Sequence, residues 1–262
     1  MAVLRTDRLS LGYDATPVVT GLSVEIPAGQ ITVIVGANAC GKSTLLRGLA
    51  RLLAPKGGAV YLDGADLAGL SGSTLATKLG MLPQQPVAPD GITVSDLVGR
   101  GRHPHQRWFR QWSAEDERVV AAALEATGTS DLATRSLDEL SGGQRQRVWI
   151  ALALAQDAET MLLDEPTTFL DLAHQLEILD LVHDLNRDRG KTIVLVLHDL
   201  NLAARYADHL IALKAGEIVA QGKPTEVVTA ALVEHVFGLA CEVIEDPLTS
   251  TPLVLPRPRH AR

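Results

Sequence analysis

Cysteine is nearly absent from this chain. Among 262 residues only Cys40 and Cys241 carry a thiol, far apart in the sequence, so there is no disulfide framework and the composition suits a reducing compartment. An excess of positive charge is also missing. With 24 Lys and Arg against 31 Asp and Glu the net charge is -7, and a field of that sign does not favour nucleic acid. Long apolar runs are lacking too: VWIALALA and TIVLVL are far shorter than a membrane-spanning helix. The opening MAVLRTDRLSLGYD places charges before any apolar block, unlike a secretory signal peptide. These absences lead us to expect a cytosolic protein that reaches a membrane only through a partner. No internal repeat or low-complexity segment stands out. What is present is ordinary globular composition, 46% hydrophobic and 21% charged, in a chain long enough for one large domain or two lobes sharing a core.

The pattern along the chain is α/β. Residues 9–64 read as short strands and turns, with a buried strand at Ile31–Val35 followed by a helix. Leu45, Leu46, Leu49, Leu52 and Leu53 recur at helical spacing, and Pro55, Gly57 and Gly58 are expected to end that helix. GGAVYLDG reads as a strand. Residues 87–155 change character, first rich in Pro, Arg, His and Trp, then in helix formers such as EDERVVAAALEA. Two nearly continuous apolar runs follow, TMLL before Asp164 and TIVLVL before His198, as expected of parallel strands buried on both faces. Between them AHQLEILDLVHDLNRDRG is helical, with Leu176, Leu179, Leu181 and Val182 on one face, or in a second phase a face starting at Ile178. ALKAGEIVAQG predicts a hairpin turning at Lys214, Ala215 and Gly216. The final PRPRHAR reads as a frayed tail. Strands alternating with helices imply a mainly parallel sheet.

The stretch GANACGKST, Gly36 to Thr44, lies between that first buried strand and its helix. It fits G-x-x-x-x-G-K-[ST] in the context a phosphate loop requires. Backbone N–H groups from Ala37 to Ser43 can wrap phosphates at a helix N-terminus, so Gly36, Asn38, Gly41, Lys42, Ser43 and Thr44 are candidate ligand residues. Lys42 would reach the β- and γ-phosphates and Ser43 would ligate Mg²⁺. A glycine turn between strand and helix is the bland alternative. Cys40, at the helix start, is a candidate for a lowered thiol pKa. Asp164 and Glu165 emerge from the strand TMLL, where α/β sheets build sites. Asp164 suits the metal's outer shell and Glu165 the general base for water; a helix cap before Pro166 is the other reading. His198 ends its run likewise, as a structural residue or as a donor to a γ-phosphate. LSGGQRQR, Leu140 to Arg147, opens a helix at Gln144–Ala155 and makes a second anion-binding N-terminus, unless Ser141 is an ordinary cap. One triphosphate does not need two such sites on one chain; a pair of chains completing each other's sites does.

With these motifs in this order the chain resembles the ATPase subunits of ABC transporters. The resemblance adds Tyr13 in LGYD as an adenine-stacking aromatic, Gln84 in MLPQQ as the Q-loop residue that contacts Mg²⁺ and the attacking water, and Asp171 as the D-loop. It implies a P-loop NTPase of the ABC ATPase fold: a RecA-like core with an N-terminal antiparallel β subdomain over 1–86 and 158–262, and an α-helical signature subdomain over 87–157. It also implies a head-to-tail homodimer in which Ser141, Gly142 and Gly143 of one chain clamp the γ-phosphate of MgATP held by the other.

NACGKSTLLR, LSGGQRQRVWIALALAQ, DEPTTFLDLAHQ, LHDLNLAARYADHLIAL and the tail CEVIEDPLTSTPLVLP are similar to ferric-siderophore importer ATPases of the ferric-enterobactin type. Membrane permease subunits and, indirectly, a siderophore-binding protein are then the implied partners, at the cytoplasmic face of the membrane. Ala37 stands where the family usually has proline, and Thr168 with Phe169 where Ser-Ala is common. GRGRHPHQRWFRQW, Gly99 to Trp112, interleaves Arg100, Arg102, Arg107 and Arg110 with His103, His105, Trp108 and Trp112. It is expected either to tuck its aromatics into the helical lobe or to grip the permease, with Arg100, Arg102 and Trp108 as contacts. A metal pair at His103 and His105 lacks further ligands nearby, and single-strand nucleic acid binding conflicts with the acidic whole. A haem or cobalamin importer would share every catalytic residue. A non-transport ABC ATPase acting on DNA or the ribosome would need a coiled coil or a second cassette, and neither is present.

Overall fold

Alternation of buried strands with helices is what the computed structural model contains; it describes residues 2–106 and 112–258. The chain forms two compact units, Met1–Gly69 with Thr192–Arg262, and Leu70–Lys191. In the first, β1 (Ala2–Tyr13) pairs antiparallel with β2 (Thr16–Leu22) and β3 (Glu25–Pro27). The run ITVIVG forms β4 (Ile31–Gly36), in which every residue is buried. α1 (Lys42–Leu49) follows, and β5 (Gly57–Leu62) with β6 (Ala65–Asp66) completes the antiparallel sheet against β1. This sheet is the N-terminal antiparallel β subdomain. α1 is shorter than its leucine spacing predicts. It stops at Leu49, Arg51 takes a left-handed φ of 56°, and Leu52 is left exposed. The chain turns before Pro55, and Gly57 and Gly58 belong to a strand.

The second unit opens with α2 (Gly72–Lys78) and β7 (Leu79–Leu82). Then come α3 (Val94–Gly99), α4 (Ala114–Ala126) and α5 (Gly142–Ala155), which pack on one another. β8 (Thr160–Asp164) lies parallel to β7, with all five residues buried, as the apolar run TMLL requires. α6 (Leu172–Arg189) closes the unit. Its buried face is Ile178, Leu179, Val182 and Leu185, so the phase starting at Ile178 is the one adopted.

On return to the first unit, β9 (Thr192–Val196) adds parallel to β4. α7 (Leu200–Tyr206) and β10 (His209–Lys214) follow, β10 parallel to β4 on its other side. β11 (Glu217–Gly222) pairs antiparallel with β10 through a two-residue turn, Ala215 and Gly216 both at positive φ, the turn that matches strand twist. Beyond α8 (Pro224–Val227) and α9 (Ala230–Phe237), β12 (Cys241–Glu245) and β13 (Pro252–Pro256) form a separate hairpin. It is held to α7 by the Asn201 amide, which accepts from Val254 N at 2.7 Å and donates to Val254 O at 3.2 Å, and by Arg205 on Asp246 at 2.7 Å. Pro256 and Arg257 are therefore ordered, the Arg257 amide donating to Ala240 O. Residues 259–262 of the expected frayed tail lie outside the described residues.

Candidate functional site

The predicted residues divide between the two units, and each set is built by the end of a buried strand. At the end of β4 the chain must turn sharply. A Cβ on Gly36 would lie 2.3 Å from Leu213 O and 2.6 Å from Cys40 Sγ, so only glycine fits. Gly41, at φ 106°, is the N-cap of α1. That left-handed backbone favours glycine, and a Cβ there would lie 3.2 Å from Val19 Cγ2. Lys42 is buried and folds back over the loop, its ammonium donating to Gly36 O at 2.9 Å and Ala37 O at 3.1 Å. That clamp fixes a positive charge inside the turn. Asn38 is exposed, Ser43 half-buried and Thr44 buried. Tyr13, 43% exposed at the end of β1, accepts from Arg47 Nη1 at 3.2 Å, which sets its ring beside α1. His198 follows β9 and is exposed, and the next residue, Asp199, caps α7 by accepting from Leu202 N.

Cys40 does not become the activated thiol its position suggests. It is only 6% exposed, and burial pushes the thiol up by more than the Lys42 ammonium and nearby amides bring it down.

In the second unit Asp164 ends β8 and is almost fully buried, while Glu165 turns away from it at φ 52°. A left-handed glutamate is a strained conformation. It is no helix cap, since the next helix is capped by Asp171. Two side chains hold the Glu165 carboxylate at Oε2: the Gln84 amide, which donates to it, and Thr168 Oγ1 at 3.0 Å. The structure thus brings Gln84 and Glu165 together from 81 positions apart. Thr168 is a contact that sequence reasoning treated only as a departure from the usual D-loop.

The signature residues form a complete cap at the start of α5. Ser141 Oγ accepts from Gln144 N at 3.3 Å while Gln144 Oε1 accepts from Ser141 N at 3.1 Å, a complete capping box. Because the hydroxyl oxygen accepts here, its own hydrogen can be donated elsewhere. Gly142 and Gly143 form the first helical positions. Asp171 caps α6 by accepting from His174 N at 2.9 Å, and from His174 Nδ1 at 2.7 Å. These two donors hold its carboxyl below the ordinary value.

The Gly99–Trp112 segment departs from expectation at Arg102. That side chain is buried, pairs with Asp116 at 3.0 Å and donates to Ala155 O at 2.9 Å. It ties the helical lobe together and cannot grip another protein. His105 bonds Gln156 O at 2.8 Å, and among the described residues no group of three or more His, Cys, Asp or Glu could hold a metal. Arg100 and His103 line a groove of about 570 Å³ with Asp96, Trp112 and Glu117. Arg107, Trp108 and Arg110 lie outside the described residues.

Residues 19–168 match the family model described as ABC transporter. The chain is 54% identical over 256 residues to the achromobactin transport ATP-binding protein CbrD of Dickeya dadantii, covering 98% of this chain and 95% of that one. It is 53% identical over 261 residues to the ferric enterobactin transport ATP-binding protein FepC of Escherichia coli, covering 100% and 96%. Among solved structures, the dimeric ABC transporter cassette MJ0796 superposes with a TM-score of 0.75 at 30% identity, covering 84% of this chain and 98% of that one. With the phosphate loop, acidic strand end and capped signature helix in place, the chain belongs to the ABC transporter ATP-binding family and is an ATPase of that fold.

Proposed function

We propose that this protein is the ATP-hydrolysing subunit of an importer of ferric-siderophore complexes, acting through separate membrane permease subunits and, indirectly, a siderophore-binding protein. The observation that carries the coupling is the presence on one chain of two glycine-flanked helix N-termini, α1 with Lys42 and α5 with Ser141. Two such sites suit a head-to-tail homodimer in which each chain completes the other's nucleotide. The cargo rests on identity above 50% along nearly the whole chain to ATP-binding proteins of the achromobactin and ferric enterobactin systems. Among the described residues no helix is long and apolar enough to cross a membrane, so attachment at the cytoplasmic face would run through the permease. Of the contact candidates Arg100, Arg102 and Trp108 on the Gly99–Trp112 segment, the exposed Arg100 is the one that remains among the described residues.

In this reading Tyr13 stacks on adenine, and the loop amides of Gly36, Asn38 and Gly41 to Thr44 hold the phosphates, with Lys42 at the β- and γ-phosphates. Ser43, Gln84 and Asp164 supply a hydroxyl, an amide oxygen and a carboxylate. That oxygen-only set fits Mg²⁺, which needs few protein carboxylates beside substrate phosphates and would neutralise their charge. Glu165, oriented by Gln84 and Thr168, takes the proton of the attacking water. His198 donates to the γ-phosphate, and Ser141, Gly142 and Gly143 of a second chain, with Asp171, close the site.

The test is uptake of iron-labelled ferric siderophores in cells lacking the protein, complemented with wild type or Glu165→Gln. Restoration by wild type alone supports the proposal. Uptake that never depends on the protein removes the siderophore and leaves haem and cobalamin as the cargoes to assay next.

A further inference from the structure

We propose that His174 is a positioning residue that couples Asp171 to the signature glycine Gly143, setting where the N-terminus of α5 meets the γ-phosphate carried by a second chain. This rests on the dimer reading above. His174 lies near the end of the stretch DEPTTFLDLAHQ, and the sequence gives it no role of its own. It is nonetheless the side chain through which two of the motifs meet.

Three observations place it. First, its backbone N and its Nδ1 both bond the same Asp171 oxygen, at 2.9 and 2.7 Å. That fixes the imidazole plane. Second, the ring occupies the space that a side chain at Gly143 would need. A Cβ built there would fall 2.5 Å from His174 Cδ2 and 3.2 Å from Nε2. Gly143 is thus a glycine partly because His174 occupies the side-chain space. Third, the same two helix ends are joined a turn further on by Arg147 Nη2 to Glu177 Oε2 at 2.5 Å. On the other side, Leu170 Cδ2 would stand 3.8 Å from a Cβ on Gly142.

The start of α5 is therefore held from α6 by a packed ring as well as by an ion pair. The ion pair is partly exposed and salt-screened, so it positions loosely. The imidazole, itself 45% exposed, fills the side-chain space beside Gly143 and is fixed there by its bond to Asp171. Removing the imidazole leaves a gap beside Gly143 and frees the Asp171 carboxylate from one of its two donors. The first amides of α5 would then shift relative to Asp171, and donors aimed at a phosphate lose their advantage when displaced by an ångström.

The experiment uses the full chain. ATP-dependent dimer formation is followed by sedimentation in a Glu165→Gln background, and steady-state ATP hydrolysis in the otherwise unmodified chain, for His174→Ala and His174→Asn. Asparagine places Nδ2 where Nδ1 stood and keeps the Asp171 bond while losing the ring. Expected for His174→Ala are a kcat about ten-fold lower, a dimer weakened to a similar degree and ATP affinity of the monomer within about two-fold of normal. His174→Asn should fall between it and wild type. A purely structural role would lower the melting temperature and leave kcat per folded chain unchanged, which would overturn the inference. If the alanine variant does not fold, the asparagine variant decides by the same readouts. Wild-type dimerisation and kcat in both variants would overturn the inference while leaving the dimer reading intact. Failure of Glu165→Gln alone to dimerise with ATP would sink both.

Discussion

Glu165 sits in a backbone conformation that few glutamates adopt, at φ 52°, and its carboxylate is held by one amide and one hydroxyl. A strained residue persists where its surroundings over-determine it, and here Thr168 is one of the constraints. Thr168→Val keeps the shape and removes the hydroxyl. One hydrogen bond of about 1 kcal/mol corresponds to roughly a five-fold loss in kcat, and ATP affinity should not move because the bond serves the base and not the nucleotide. Single-turnover hydrolysis beside equilibrium ATP binding separates the two, and an unchanged kcat would remove Thr168 from the catalytic set. Cys40 gives a second test at this scale. Burial pushes its thiol up, so a small thiol reagent at pH 8 should modify Cys40 about ten-fold more slowly than the same cysteine in denaturant. Equal rates would restore the activated thiol that its place at the start of α1 suggested.

At the scale of elements the helical lobe depends on a buried ion pair. Burial raises the Asp116 carboxyl, but the Ser113 hydroxyl and the Arg102 guanidinium outweigh it, and the group is held below its ordinary value. Arg102→Ala leaves that carboxylate buried without its cation, which costs about 3–5 kcal/mol, whereas Arg100→Ala should change stability by less than about 0.5 kcal/mol. Urea unfolding of both variants checks the pair, and equal midpoints would contradict it. The pH dependence has a definite sign. A depressed carboxyl contributes stability that is complete above the ordinary value of 3.8 and is lost as pH falls below it towards the depressed one. Acid unfolding of the wild type should therefore steepen below that value, and Arg102→Ala should flatten the limb.

The same element shows where sequence reading stops. Arg102 lies in a basic, aromatic segment that looks like a surface, and its burial is set by Asp116 and Ala155, 14 and 53 positions away. The motifs were legible because their chemistry is local: Gly36 to Thr44 carries its own turn, helix start and ammonium, and Ser141 to Gln144 its own cap. The α/β alternation was legible because β4, β8 and β9 are buried on both faces and leave unbroken apolar runs. The phase of α6 was ambiguous because Leu176 and Leu181 flank the true face. The early end of α1 was hidden because leucines at helical spacing continue past Arg51, whose left-handed backbone breaks the helix without glycine or proline. The clasp of Thr168 on Glu165 and the ring of His174 beside Gly143 have no pattern in the sequence, because the first depends on the left-handed turn at Glu165 and the second on how α5 and α6 pack.

At the scale of the whole molecule, what matters is that one chain carries two glycine-flanked helix N-termini, at α1 and α5, which in the proposed homodimer serve two different nucleotides. If each site is completed by Ser141 and Gly143 of a second copy, hydrolysis by the isolated subunit is bimolecular in protein. Specific activity should then rise with subunit concentration and level off once dimers saturate. A monomer that hydrolyses by itself would show constant specific activity instead. Two variants separate binding from closure. Lys42→Ala removes the ammonium that spans the loop and should lose most productive ATP binding, so neither activity nor dimer appears at any concentration. Glu165→Gln keeps the phosphate loop and exchanges only the proposed base, so it should bind ATP, turn over very slowly and accumulate as dimer. Sedimentation of both variants over a concentration series with MgATP is the measurement. If Glu165→Gln stays monomeric while binding ATP, the N-terminus of α5 does not serve a partner's nucleotide. The capping box of Ser141 would then be the full account of that helix end.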